Sequence, residues 1–166
     1  MVDRELLIKE KLEHAGLFDF QGFYGFAHSW LDEEEYGVVE SKYAEKIAGN
    51  NREITAEWDA SRELSDYIKM EMKIKFEVKE MVDVEVEIDG KKKKMNRGKL
   101  TIEIKAALAK DPDSKWDSSP FNRMARGLYD KYIIPSRLDA MRTGVRKDVQ
   151  DLKEALKAYL ELTGKR

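Results

Sequence analysis

Cysteine is absent from the 166 residues. Disulfides, thiolate nucleophiles and cysteine metal sites are therefore excluded, which suits a reducing compartment. Histidine is scarce as well, at two residues, too few for a histidine-built metal centre. Proline numbers three and glycine ten, and the glycines fall at expected turns and helix ends rather than in a phosphate-cradling loop. Dinucleotide fingerprints and G-x-S-x-G elbows are also missing. No apolar run approaches the ~20 residues of a membrane span, and the stretch Met1 to Glu5 is too polar to open a signal peptide. Neither sign of charge dominates: 31 basic and 33 acidic side chains leave a net charge of −2, which counts against a general nucleic-acid binder. These absences predict a cytoplasmic, non-enzymatic protein with no cofactor and no bound metal.

What the sequence has in abundance is alternation. Ile68, Met70, Met72, Ile74, Phe76 and Val78 alternate with charged residues. Successive strand side chains point to opposite faces, so this segment is a strand with one buried face. Val82, Val84, Val86 and Ile88 repeat the pattern, as do Leu100, Ile102, Ile104, Ala106 and Leu108. Residues 4–14 read as a strand with Leu6, Ile8 and Leu12 on one face. A short helix closed by Gly16 is the competing reading. Residues 38–47 and 52–60 read as a hairpin around Gly49-Asn50-Asn51, with Ile54, Ala56 and Trp58 facing inward. Asp89-Gly90 is a two-residue hairpin turn. A second turn signal at Asn96-Arg97-Gly98 leaves two readings open. Either 91–95 is a separate short strand, or 67–88 and 91–109 form one long ribbon distorted near Arg97-Gly98, with inward parity carried from Val78 to Val82.

Three helices complete the pattern. Residues 19–34 place Phe20, Phe23, Tyr24, Ala27, Trp30 and Leu31 on one stripe, with Asp19 as N-cap and Gly37 ending the helix. Phe18 and Phe26 fall off that stripe and are expected to be more exposed. Ser119-Pro120 opens a second helix with Met124 and Leu128 on its stripe. Pro135 interrupts it, and a third helix runs to about Leu162. The expected fold is α+β: an antiparallel sheet of five to six strands packed by amphipathic helices. Residues 1–134 form the sheet domain, and 135–166 form a C-terminal amphipathic helix extending it. This element order resembles the START-like helix-grip superfamily, in which a curved sheet wraps a long C-terminal helix. The resemblance covers roughly residues 4–133 and rests on topology. It implies an apolar ligand between sheet and helix.

Four groups of residues are candidates for function. Leu138, Met141, Val145, Val149, Leu152, Leu156 and Tyr159 recur at steps close to a heptad, as an interface helix would. They predict assembly, with a second copy of the chain or with another protein, unless the helix folds back on its own domain. Trp58, Met70, Met72 and Phe76, with Met124 and Leu128, are the candidate wall of a cavity for an apolar small molecule. His28, Asp32 and Glu35 share a helical face and hold the residue types of an acid–base or metal site. A solvated helix end gives the same pattern, and His14 stands alone as a structural or surface residue. Lys91 to Lys94, with Arg97 and Lys99, form a basic tip that either meets phosphate or keeps the ribbon soluble. Assembly is the leading expectation and apolar-ligand binding the alternative.

Overall fold

The computed structural model describes residues 3–65, 68–110, 124 and 135–164. Five strands form one antiparallel sheet: β1 (Asp3–Phe18), β2 (Gly37–Ala48), β3 (Asn51–Glu63), β4 (Ile68–Ile88) and β5 (Lys91–Lys110). Their order is β1-β5-β4-β3-β2, so β1 joins the sheet beside the last strand, and β1 and β2 are its edges. Helix α1 (Phe20–Glu33) connects β1 to β2, and helix α2 (Pro135–Gly164) closes the described chain. The expected helix opened by Ser119-Pro120 lies outside the described residues, apart from Met124.

The two helices cover one face of the sheet. The alternating rows meet them there, with Phe76, Ile102 and Leu108 fully buried. Asp19 caps α1 as expected: its Oδ1 accepts from the Gly22 amide at 3.2 Å. The helix ends differently from the expectation. Glu35, at φ 67°, makes the left-handed reversal, its amide donating to Asp32 and that of Tyr36 to Leu31. Gly37 instead begins β2. Phe18 also departs from expectation, because it belongs to the strand: it ends β1 pointing inward and is fully buried.

Residues 68–110 form the single long ribbon, turned by Asp89 and Gly90, both with positive φ. This is the backbone a two-residue hairpin with right-handed strand twist requires. The distortion is a bulge, with Glu80 and Met81 inserted opposite Gly98. A Cβ on Gly98 would stand 2.9 Å from both the Lys79 carbonyl oxygen and the Met81 Cα, so only glycine lets the two backbones approach. The extra residue changes parity, and Met81 rather than Val82 continues the buried row. A similar shift at Leu7 in β1 turns Leu6 out to solvent, while Ile8 packs on the core and Leu12 is buried. Further shifts at Ser41 and Glu53 bend the β2–β3 hairpin. Bulges sharpen local twist and bend, so all four act on the curvature of the sheet.

Candidate functional site

The C-terminal stripe is consumed within the chain. Leu138, Val145, Val149, Leu152 and Leu156 are buried, together with Leu160, which the spacing had not singled out. Met141 and Tyr159 are partly buried against the same core. Helix α2 lies chiefly across β1, with further contact to α1 and β5. Burying these six aliphatic side chains is worth on the order of 10 kcal/mol at roughly 1.5–3 kcal/mol each, comparable with the net stability of a whole domain.

Polar ties reinforce the docking. Arg142 donates to both Glu5 oxygens at 3.0–3.1 Å. Lys153 and Gln150 bind the two oxygens of Glu10 at 3.0 and 2.7 Å. That arrangement holds the Glu10 carboxyl below its usual range, mainly through the Lys153 hydrogen bond. On the far side, the Tyr36 hydroxyl donates to Asp148 at 2.7 Å. Arg62 lies over the Tyr36 ring at 5.0 Å and also reaches Asp148 at 3.5 Å. Burial, then the Asp148 carboxylate, pushes the Tyr36 hydroxyl pKa upward.

The expected cavity wall does not converge. Met70, Met72 and Phe76 sit in the packed interior. Phe76 is surrounded by Trp58, Tyr24 and Phe23 at centroid distances of 4.8, 5.1 and 6.2 Å, so aromatic rings fill the space a ligand would need. Met124 is 58% exposed, and Leu128 lies outside the described residues. Of the set, Trp58 alone reaches a cleft together with α1.

The open space lies at the mouth between α1 and the β2–β3 hairpin. Hairpin and helix pack loosely there: β2 is exposed along its length apart from half-buried Val38. A cleft of about 560 Å³ is walled by Phe20 and Tyr24 from α1, Tyr43 from β2, Ile54 from β3 and Met81 from the bulge. A second groove of about 550 Å³ adjoins it through Tyr24 and continues past His28, Val38, Glu40 and Trp58. Tyr24 stands between them. Its hydroxyl donates to Glu40 at 2.5 Å and accepts from the Trp58 indole at 2.6 Å. Its ring meets Trp58 at 4.6 Å and Tyr43 at 6.1 Å. Burial, then Glu40, raises the Tyr24 pKa, keeping the hydroxyl protonated.

The polar rim of the first cleft is more acidic than basic. Asp19, Glu45 and Asp83 face Arg52 and Lys94, and Glu40 adds a further carboxylate next door. Arg52 is already engaged by Asp83 and, at 3.5 Å, by Glu45. Asn96 ties the ribbon to the helix, its Oδ1 accepting from the Phe20 amide at 3.0 Å and its amide donating to Asp83 at 2.9 Å. With Asp19 already serving Gly22 and Phe23 and Asn96 serving Phe20, three amides at the α1 N-terminus are engaged internally rather than by an incoming anion. Aromatic faces beside carboxylates favour a cationic or hydrogen-bond-donating guest.

The remaining candidates separate. His28 is exposed beside the second groove, its ring edge-on to Trp58 at 5.7 Å. Asp32 and Glu35 are exposed, and no metal-holding group of histidine and carboxylates occurs among the described residues. His14 is half-buried, with Nε2 2.8 Å from the Leu17 carbonyl oxygen. Lys92 and Lys94 stand directly opposite Glu87 and Glu85 across the ribbon, which offsets the charge of the basic tip. The cleft itself was invisible to local pattern, because Tyr24, Tyr43, Ile54 and Met81 come from four elements. No described helix is long and apolar enough to cross a membrane. No protein-family model matches the chain, and no curated protein matches it.

Proposed function

We propose that this protein is a non-enzymatic binding module for a small, flat, largely apolar molecule carrying a cationic or donor nitrogen. One observation carries the reading: the cleft of about 560 Å³ walled by Phe20, Tyr24, Tyr43, Ile54 and Met81 and rimmed mainly by carboxylates. Pockets of this size with apolar walls and a few placed polar groups are the usual form of small-molecule sites. The strand order is in keeping with the helix-grip resemblance, while the helix after Pro135 is an addition to that pattern. The ligand site, however, is read at the mouth rather than beneath α2. Assembly through the C-terminal stripe draws no support from the packing, since its own sheet already covers the stripe. A cytoplasmic setting fits a chain without cysteine.

Thermal unfolding with thioflavin T, a flat cationic aromatic dye, tests the proposal. The dye is expected to raise the midpoint in a concentration-dependent way, as any ligand of the folded state does. Tyr43→Ser should weaken binding about tenfold without unfolding the protein, because Tyr43 is 46% exposed. An unchanged midpoint, or full binding by Tyr43→Ser, would refute the cleft as the site.

A further inference from the structure

The sheet face opposite the helices carries a feature the cleft does not explain. Part of this face follows the rule that opposite charges pair across strands. Lys11, Glu103, Lys75, Glu57 and Lys42 form one alternating rung from β1 to β2. The neighbouring rung breaks that rule: Lys9 pairs with Lys105, and Lys105 with Lys73, before Asp59 is reached. Like charges directly opposite one another are destabilising in a sheet, so folding alone gives no reason for three adjacent lysines. Lys9, Lys73 and Lys105 form no salt bridge among the described residues.

Beside this rung the surface is hollow. A trough of about 640 Å³ runs from Leu6 on one edge strand to Val39 on the other. Leu6 and Val39 are 64% and 65% exposed, and the small side chain of Ala107 lies opposite Leu6. Four basic residues line the trough, Arg4, Lys69, Lys73 and Lys105, against Asp59 and Glu71. Arg4 and Glu71 neutralise each other at 2.8 Å, leaving three lysines against one aspartate. The apolar ends are far apart, about 19 Å at four interstrand steps of roughly 4.8 Å, while the positive charge lies between them.

From this juxtaposition we infer a second ligand site: the outer trough binds an amphipathic carboxylate of fatty-acid type. The carboxylate sits on Lys73 and Lys105, and the acyl chain runs along the trough over Ala107 to its apolar end at Leu6. A concave site with apolar ends suits a single acyl chain, whereas a bilayer surface would need a convex or flat patch. The inference is independent of the cleft, since no residue lines both.

Titration calorimetry with dodecanoate below its micellar concentration tests this, with acetate and dodecyltrimethylammonium as controls for head and tail alone. Dodecanoate should bind and both controls should bind at least tenfold more weakly. Lys105→Glu should lower dodecanoate affinity at least tenfold. It should also raise the thermal midpoint of the ligand-free protein, because it restores alternation along the rung, so lost binding cannot be ascribed to unfolding. Leu6→Gln should weaken dodecanoate but leave any thioflavin T binding unchanged, and Tyr43→Ser should do the reverse. The inference fails if dodecanoate does not bind, if the cationic detergent binds equally, or if Lys105→Glu leaves affinity unaltered. It also fails if only anionic phospholipid vesicles are bound, which would make this face a membrane contact.

Discussion

At the scale of single residues, backbone geometry decides more than side-chain chemistry. Gly98 is required not for its dihedral angles but for the space its missing Cβ leaves to the bulge at Glu80 and Met81. Gly98→Ala is expected to cost about 1–3 kcal/mol, the usual range for overpacking, read as a lower urea midpoint with an unchanged m-value. An unaltered midpoint would mean that the bulge relaxes freely. Because Met81 belongs both to this bulge and to the cleft wall, the same substitution is expected to weaken thioflavin T binding. Tyr24 shows the opposite economy: one hydroxyl joins Glu40 and Trp58 and so links helix to hairpin.

At the scale of elements, α2 depends on charges as well as on its stripe. Glu10 has a lowered pKa in the folded protein, chiefly because Lys153 donates to it. A carboxylate of this kind stabilises the fold above its unfolded pKa, near 4.3. That contribution is lost as pH falls through the lower folded value. Lys153→Met should therefore reduce stability at pH 7 and flatten its decline below about pH 4. Denaturant titrations at both pH values check this, and parallel acid profiles for the two proteins would show that the ion pair contributes nothing. The β2 edge illustrates a different device: Ser41 interrupts its pairing, and Lys42 and Lys46 lie along it. Bulges and lysines discourage edge-to-edge association.

Sequence periodicity exposed the elements well, because a two-residue period shows wherever one sheet face is buried, as at Ile68–Val78 and Leu100–Leu108. It misled where a bulge changed the count: Leu6 was grouped with Ile8, and Val82 with Val78. The stripe from Leu138 to Tyr159 was legible as a stripe, but what it covers depends on β1, at the other end of the sequence. Neither the cleft nor the trough has a local signature, since each gathers residues from several strands. The lysine rung in particular appears only when register places Lys9, Lys105 and Lys73 side by side.

At the scale of the whole molecule, the sheet and α2 form one core. A chain ending at Ile133 loses the side chains that cover β1, among them Val145, Val149, Leu152 and Leu156. It is expected to bind a hydrophobic dye and to unfold without a cooperative transition, followed by fluorescence and circular dichroism. A sharp transition at the parent midpoint would show that the sheet stands without α2. The strand order has a consequence in time as well. Residues 68–110 form a hairpin ribbon closed by a two-residue turn, and its pairs nearest the turn are local contacts of the kind that form fast. The β1 strand has no partner but β5 among the described residues, with pairs as distant in sequence as Asp3 and Lys110. On a ribosome, the strand that emerges first is thus the one that must wait longest, its pairing edges open until nearly the whole sheet has been synthesised.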